Sequence, residues 1–200
     1  MPQIQLFDHD GRPLGAWLDT PAARRVLSRL GIDSGRLAPP ERPLSRLPQL
    51  TYARELADLR RRFNTAMTYR TWRRADDPMG VLGEPAGRSA RSSEPEFGHT
   101  HDDHELRVVL QGQLIYFVPA PAPALPGWAA VVAGPGSWIA LPPGLPHTLE
   151  AVPAPELGLD VLSLFSKPAG WIPRAAGIVM PPALTDASRS AGQSMAAPPG

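Results

Sequence analysis

The stretch His99–Val118, HTHDDHELRVVLQGQLIYFV, decides the fold. It gathers three of the chain's five histidines within six residues, beside Asp102, Asp103 and Glu105. His99 and His101 are two residues apart, so on a strand both imidazoles point to one face. Glu105 and Arg107 keep that odd parity, whereas Leu106, Val108 and Leu110 fill the alternate positions. Read as one strand, the stretch has a greasy face and a face carrying His, His, Glu and Arg. A surface strand rarely exposes that set, and a barrel interior holding a metal accounts for it better. The residues on either side of Gly112 are rich in β-formers, which predicts a hairpin turning at that glycine.

Toward the N-terminus, IQLFDHDGRPLGAWL reads as two short extended segments around the turn dipeptide Asp10-Gly11. DTPAARRVLSRLGI predicts a helix with Thr20 as N-cap, Pro21 at the first helical position and Gly31 ending it. After a proline-rich connector from Leu37 to Pro48, TYARELADLRRRFNTAM places Tyr52, Leu56, Leu59 and Phe63 at helical spacing, with charges between. Residues from Asp76 to Phe97 read as a loop. Beyond the His99 stretch, WAAVVAGPGSWIALPPGLPHTLEAV and GLDVLSLFS predict further short strands. Two helices followed by many strands predict a mainly β barrel or sandwich with a helical N-terminal part, an α+β chain in one domain over residues 1–180. Residues 181–200, small and polar, are expected to form a disordered tail.

Composition excludes several classes. With 20 Lys+Arg against 19 Asp+Glu, the net charge is +1, and no nucleic-acid footprint is present. There are no cysteines, which removes disulfides, thiolate metal sites and cysteine nucleophiles. The first residues lack the basic start and apolar run of a secretory signal, and no apolar run approaches the ~20 residues that span a bilayer. A soluble, cytoplasmic protein is expected, with no membrane partner. The 26 prolines, well above the average of about 5 %, fall mostly in Ala/Pro/Gly segments read as loops.

Two imidazoles and a carboxylate form an N/O donor set suited to Fe(II), Ni(II), Mn(II) or Zn(II). A fourth ligand is expected from His147, which ends GSWIALPPGLPH, a strand followed by a Pro-Gly turn that aims the imidazole back at the sheet. His104 has the opposite parity and is expected to be an exposed loop histidine. His9, between Asp8 and Asp10 in a turn, is expected to be solvated. Asp102 and Asp103 are adjacent, so they face opposite ways and are not read as a catalytic pair. Arg107 is read as facing the site, and the arginines of RELADLRRRF as a solvated helix face.

His99, His101, Glu105 and Gly112, followed by Gly136, Pro142, Gly144 and His147, resemble the paired motifs of the cupin superfamily. That resemblance implies a double-stranded β-helix barrel around one metal. Within it, HTHDDHELR, the strand LSLFSKPAGWIP with Gly170 and Trp171, and Tyr52 opening the second helix are similar to acireductone dioxygenases of methionine salvage. The similarity implies an oxygenase holding one Fe(II) or Ni(II) per chain on His99, His101, Glu105 and His147. It also implies a small enediol substrate and O2, with Arg107 stabilising the enediolate in a monomeric enzyme. Three positions depart from the family pattern. Gly98 stands where a glutamate is usual, Ser163 where an arginine is usual, and HTLEA supplies no aromatic after His147. The departures leave open a cupin enzyme acting on another enediol, diketone or sugar-like substrate, and a non-catalytic cupin whose metal holds the barrel together.

Overall fold

The computed structural model describes residues 2–38, 52–74, 77–82, 97–120, 127–155 and 157–184, and among these residues two helices and twelve strands are named below. The order is β1 (Gln3–Phe7), α1 (Thr20–Arg29), β2 (Asp33–Arg36), α2 (Ala53–Phe63), β3 (Met67–Arg74), β4 (Asp77–Leu82), β5 (Phe97–Thr100), β6 (Glu105–Gln111) and β7 (Gln113–Ala120). Then come β8 (Gly127–Ala133), β9 (Ser137–Leu141), β10 (Thr148–Val152), β11 (Leu159–Phe165) and β12 (Arg174–Val179). Among the described residues every strand pairing is antiparallel. One sheet has the order β1-β8-β7-β10, a second β2-β9-β6-β11-β3-β4, and β12 pairs with β5 in a third.

The apolar residues sort into three layers. Between the sheets lie Val109, Ile139, Leu141 and Val161 from the larger sheet, and Leu114, Tyr116, Val118, Ala129 and Val131 from the smaller. Ala23, Val26 and Leu27 of α1 join this layer, because α1 links β1, at the edge of one sheet, to β2, at the edge of the other. The outer face of the larger sheet, with Leu106, Val108, Leu110, Leu162 and Leu164, is covered by Tyr52, Leu56, Leu59 and Phe63. The outer face of the smaller sheet buries Phe7, Ile115, Phe117 and Trp128 with Leu184. Thus β6 is apolar on its outer face, as its alternation predicts, and the odd positions turn inward. Each fully buried Leu or Phe in these layers contributes roughly 1.5–3 kcal/mol.

Both helices form where periodicity places them, with adjusted ends. The N-cap of α1 is Asp19, not Thr20: its carboxylate accepts from Ala22 N at 2.9 Å, and Thr20 is already helical. Pro21 sits in the first turn, and Gly31 follows the helix at φ 69°. α2 stops at Phe63 because Asn64 adopts a left-handed conformation, φ 51°. No helix among the described residues is long and apolar enough to cross a membrane.

The expected hairpin at Gly112 is a crossover instead. β6 pairs with β9 and β11, and β7 pairs with β8 and β10, so Gly112 carries the chain from one sheet to the other. Gly112 has φ 76°, and a Cβ there would meet Val152 O and Leu159 Cδ1 at 2.8 Å, so only glycine fits this corner. The turn at Asp10-Gly11 is followed by a single bridge, Phe7 to Pro13, rather than a second strand. Asp77–Leu82, expected as loop, pairs with β3. Of the expected connector, residues 39–48 lie outside the described residues, as do 83–96 of the expected loop. Of the expected tail, 185–200 also lie outside them, whereas Leu184 is buried in the outer layer of the smaller sheet.

Candidate metal centre

The His99 stretch is two strands, not one. β5 ends at Thr100 and β6 begins at Glu105, with His101–His104 as a link between them. The odd-parity argument therefore holds within each strand and not across the link, yet His99, His101 and Glu105 still converge. The backbone explains why. His99 and His147 form an antiparallel bridge, each amide donating to the other's carbonyl at 2.9 Å. Gly144 N donates to His101 O at 2.9 Å, so the Pro-Gly turn after β9 is tied to the link. Glu105 faces Leu141 at the end of β9, beside that same turn.

His99, His101, Glu105 and His147 are all buried, and one donor atom from each lies within 4.8 Å of the others. His147 Nε2 stands 2.8 Å from Glu105 Oε2, and His101 Nε2 stands 3.4 Å from the same oxygen. His101 donates its Nδ1–H to Gly170 O at 3.1 Å, and His147 donates its Nδ1–H to Leu145 O at 3.0 Å. A carbonyl only accepts, so each bond places a proton on Nδ1 and turns Nε2 toward Glu105, where a neutral ring offers its lone pair. His99 Nδ1 and His101 Nε2 are buried with no hydrogen-bond partner among the described residues, an arrangement costly unless something else satisfies it.

The electrostatics agree. Burial, reinforced by the neighbouring His147, lowers the His99 pKa from 6.5 to about 4, and burial likewise lowers that of His101. Burial alone would raise the pKa of Glu105, but Arg107 and the histidines outweigh it and hold the carboxyl well below its usual range. At neutral pH the group is therefore two or more neutral imidazoles around one carboxylate, the protonation states that metal binding requires. The three-imidazole, one-carboxylate donor set and its unsatisfied nitrogens fit a divalent transition metal.

The second carboxylate oxygen is held from behind. Arg107 Nε donates to Glu105 Oε1 at 2.9 Å, and the buried Tyr116 hydroxyl lies 3.3 Å from that atom. Arg107 Nη1 donates to Ser163 Oγ at 2.9 Å, since Ser163 lies opposite Arg107 in the register of β6 and β11. Ser163 is thus inward and buried, and Tyr69 lies opposite it on β3. Phe165, one inward position along β11, sets its ring 6.1 Å from His101. The Tyr69 ring is tilted against those of Phe165 and Trp171, at 6.3 and 6.5 Å between centroids, forming an aromatic wall beside the histidines.

Other residues from the sequence stay outside. His9 is exposed. His104 is half-buried rather than exposed, its ring 5.7 Å from Phe63, because the link folds it onto the end of α2. Asp102 is paired with Arg174. Asp103 is buried and fully engaged by backbone and hydroxyl donors, not solvated. Gly98 has a steric reason: a Cβ there would lie 2.0 Å from Ile178 Cγ1, since β12 packs on β5. Tyr116 and Tyr69 were not anticipated. For Tyr116 the signal was a phenol at an even position of LIYFV, where Leu114 and Val118 mark the inward row.

Two antiparallel sheets enclosing a buried group of three histidines and a glutamate define a cupin barrel with a candidate metal centre. A solved structure, acireductone dioxygenase from Bacillus anthracis with a cadmium ion in its active centre, is similar to this chain with a TM-score of 0.64. The match covers 87 % of this chain and 98 % of that one at 17 % sequence identity, and so concerns the fold. No family model and no curated protein matches the sequence.

Proposed function

We propose that this chain is a metal-dependent dioxygenase of the acireductone type, cleaving a small enediol with O2. The observation that carries the reading is the buried group of His99, His101, Glu105 and His147 inside a barrel that resembles a dioxygenase along most of its length. These four residues would hold one Fe(II) or Ni(II). The bound cation would supply Lewis acidity, lowering the cost of doubly deprotonating an enediol. The chain's own residues do the rest. Gly170 O and Leu145 O keep His101 and His147 in the donor tautomer, and Arg107 keeps Glu105 anionic. Arg107, 16 % exposed on its side chain, also brings positive charge to the inward row where an enediolate would lie. The wall of Tyr69, Phe165 and Trp171 limits water on one side of the histidines and offers apolar surface to a substrate tail.

On this reading the enzyme works as a cytoplasmic monomer in methionine salvage, converting acireductone and O2 to formate and a 2-keto acid with iron, or releasing carbon monoxide with nickel. Metal analysis of the purified protein, combined with an anaerobic-to-aerobic assay on acireductone, tests it. Stoichiometric metal with O2-dependent loss of substrate supports the reading. Stoichiometric metal without turnover directs it to another enediol.

A further inference from the structure

We propose that Asp103 is a positioning residue for His101, acting through the 166–170 turn; this rests on reading the histidine group as a metal centre. Asp103 is 6 % exposed and lies on the link between β5 and β6. Its Oδ2 accepts from Ser166 N at 2.6 Å and from Ser166 Oγ at 2.7 Å, while Oδ1 accepts from His104 N at 2.8 Å. The carboxylate therefore ties its own link to the start of a turn 63 residues further along the chain.

The tip of that turn faces solvent. Lys167, Pro168 and Ala169 are exposed, so packing does not fix their path. The turn closes with Gly170 N donating to Lys167 O at 3.0 Å, and Gly170 itself is buried directly against Asp103. A Cβ at 170 would lie 2.5 Å from Asp103 Oδ2 and 2.9 Å from its Cβ, a contact only glycine permits. The Gly170 carbonyl, placed by this close approach, accepts the Nδ1–H of His101 at 3.1 Å. One carboxylate thus holds both ends of the arrangement that sets the tautomer of His101: the link bearing the imidazole and the turn bearing the carbonyl. Charge-assisted bonds to a carboxylate are the stronger kind, which suits a residue that must order an exposed turn. Partners that orient a ligand imidazole in this way influence metal affinity by ~10- to 100-fold.

The test measures Ni(II) affinity by calorimetry and the His101 tautomer by 15N chemical shifts of the metal-free protein. Asp103→Ala is expected to weaken Ni(II) binding ~10- to 100-fold and to lose the single Nδ1–H tautomer of His101. Gly170→Ala, which leaves the carboxylate in place but displaces the carbonyl, is expected to do the same. The double variant should lose less than the product of the two single effects, because both cut one connection. Asp102→Ala should change neither readout. Ser166→Ala removes one of the three bonds and shows the same shifts in smaller measure, carrying the test where Asp103→Ala fails to fold. An unchanged His101 tautomer in these variants overturns the proposal, whatever happens to their thermal stability. Failure of the unmutated protein to bind Ni(II) sinks the metal reading instead, and the tautomer measurement then decides the clasp alone.

Discussion

Glu105 divides its two oxygens between two tasks. Oε2 faces His101 and His147, while Oε1 takes the Arg107 guanidinium and stands 3.3 Å from the Tyr116 hydroxyl. Arg107→Ala is therefore expected to weaken metal binding, by ~10-fold or more, and not only turnover. Equilibrium dialysis against metal checks this, and full retention of metal with lost activity would assign Arg107 to the substrate alone. Ser163→Ala removes one acceptor from Arg107 and is expected to cost about 1 kcal/mol while keeping the metal. His101→Ala should strip the metal, whereas His104→Ala, packed on Phe63, should keep it and lose only packing. The histidine spacing pointed to the candidate ligand set that the barrel brings together. Glu105's supports were only half legible: Arg107 shares its strand and parity, but Tyr116 reaches Glu105 from the other sheet and Ser163 reaches Arg107 through the β6–β11 register, and no local pattern encodes either contact.

At the scale of elements, what was legible follows local periodicity, and what was not depends on distant contacts. Tyr52, Leu56, Leu59 and Phe63 mark α2 because one stripe must cover a sheet. β2, with the sequence DSGR, carries no strand signal at all. It exists because β9 offers an open edge, and because Gly35 leaves room for the Trp138 indole, which a Cβ would meet at 2.7 Å. The crossover at Gly112 looks locally like a hairpin, since a left-handed glycine between two β-rich runs serves either purpose. Gly98 belongs to the same class. Because Ile178 occupies the space where a side chain would begin, Gly98→Ala is expected to destabilise the protein by ~1–3 kcal/mol. Ile178→Ala should relieve much of that cost, giving a clear coupling in a denaturant-measured double-mutant cycle. Additive effects would mean that β12 does not sit over β5 as described.

For the whole molecule, the candidate metal centre lies where separate parts of the chain meet: β5, the link, the start of β6 and the turn after β9 bring the four donors, and the 166–170 turn brings a carbonyl to His101. A group assembled from such distant segments couples to global unfolding, because the unfolded chain cannot present four donors together. At pH 7 a saturating divalent metal should raise the melting temperature, by about 2.7 kcal/mol of stabilisation at a hundredfold excess over Kd, and a chelator should reverse it. The metal-free protein should reveal the same centre through acid. His99 titrates near 6.5 when unfolded and at about 4 when folded, and His101 is shifted in the same direction. Between those values the unfolded chain binds more protons than the folded one, so stability falls as pH falls. The contribution of the neutral His99 imidazole is intact above 6.5, drains away through the window from 6.5 to about 4, and is gone below it, and His101 acts in the same direction. Glu105 acts in the same sense at lower pH, because its folded pKa lies well below the usual 4.5 and its stabilisation is lost as pH falls through that depressed value. Denaturant midpoints of the metal-free protein should therefore drop steadily on acidification from pH 7 to 4. In His99→Gln, which has no imidazole to protonate, the drop should be smaller across that window. An unchanged slope in the variant would show that His99 is not held neutral by burial, and would remove the electrostatic basis for the centre.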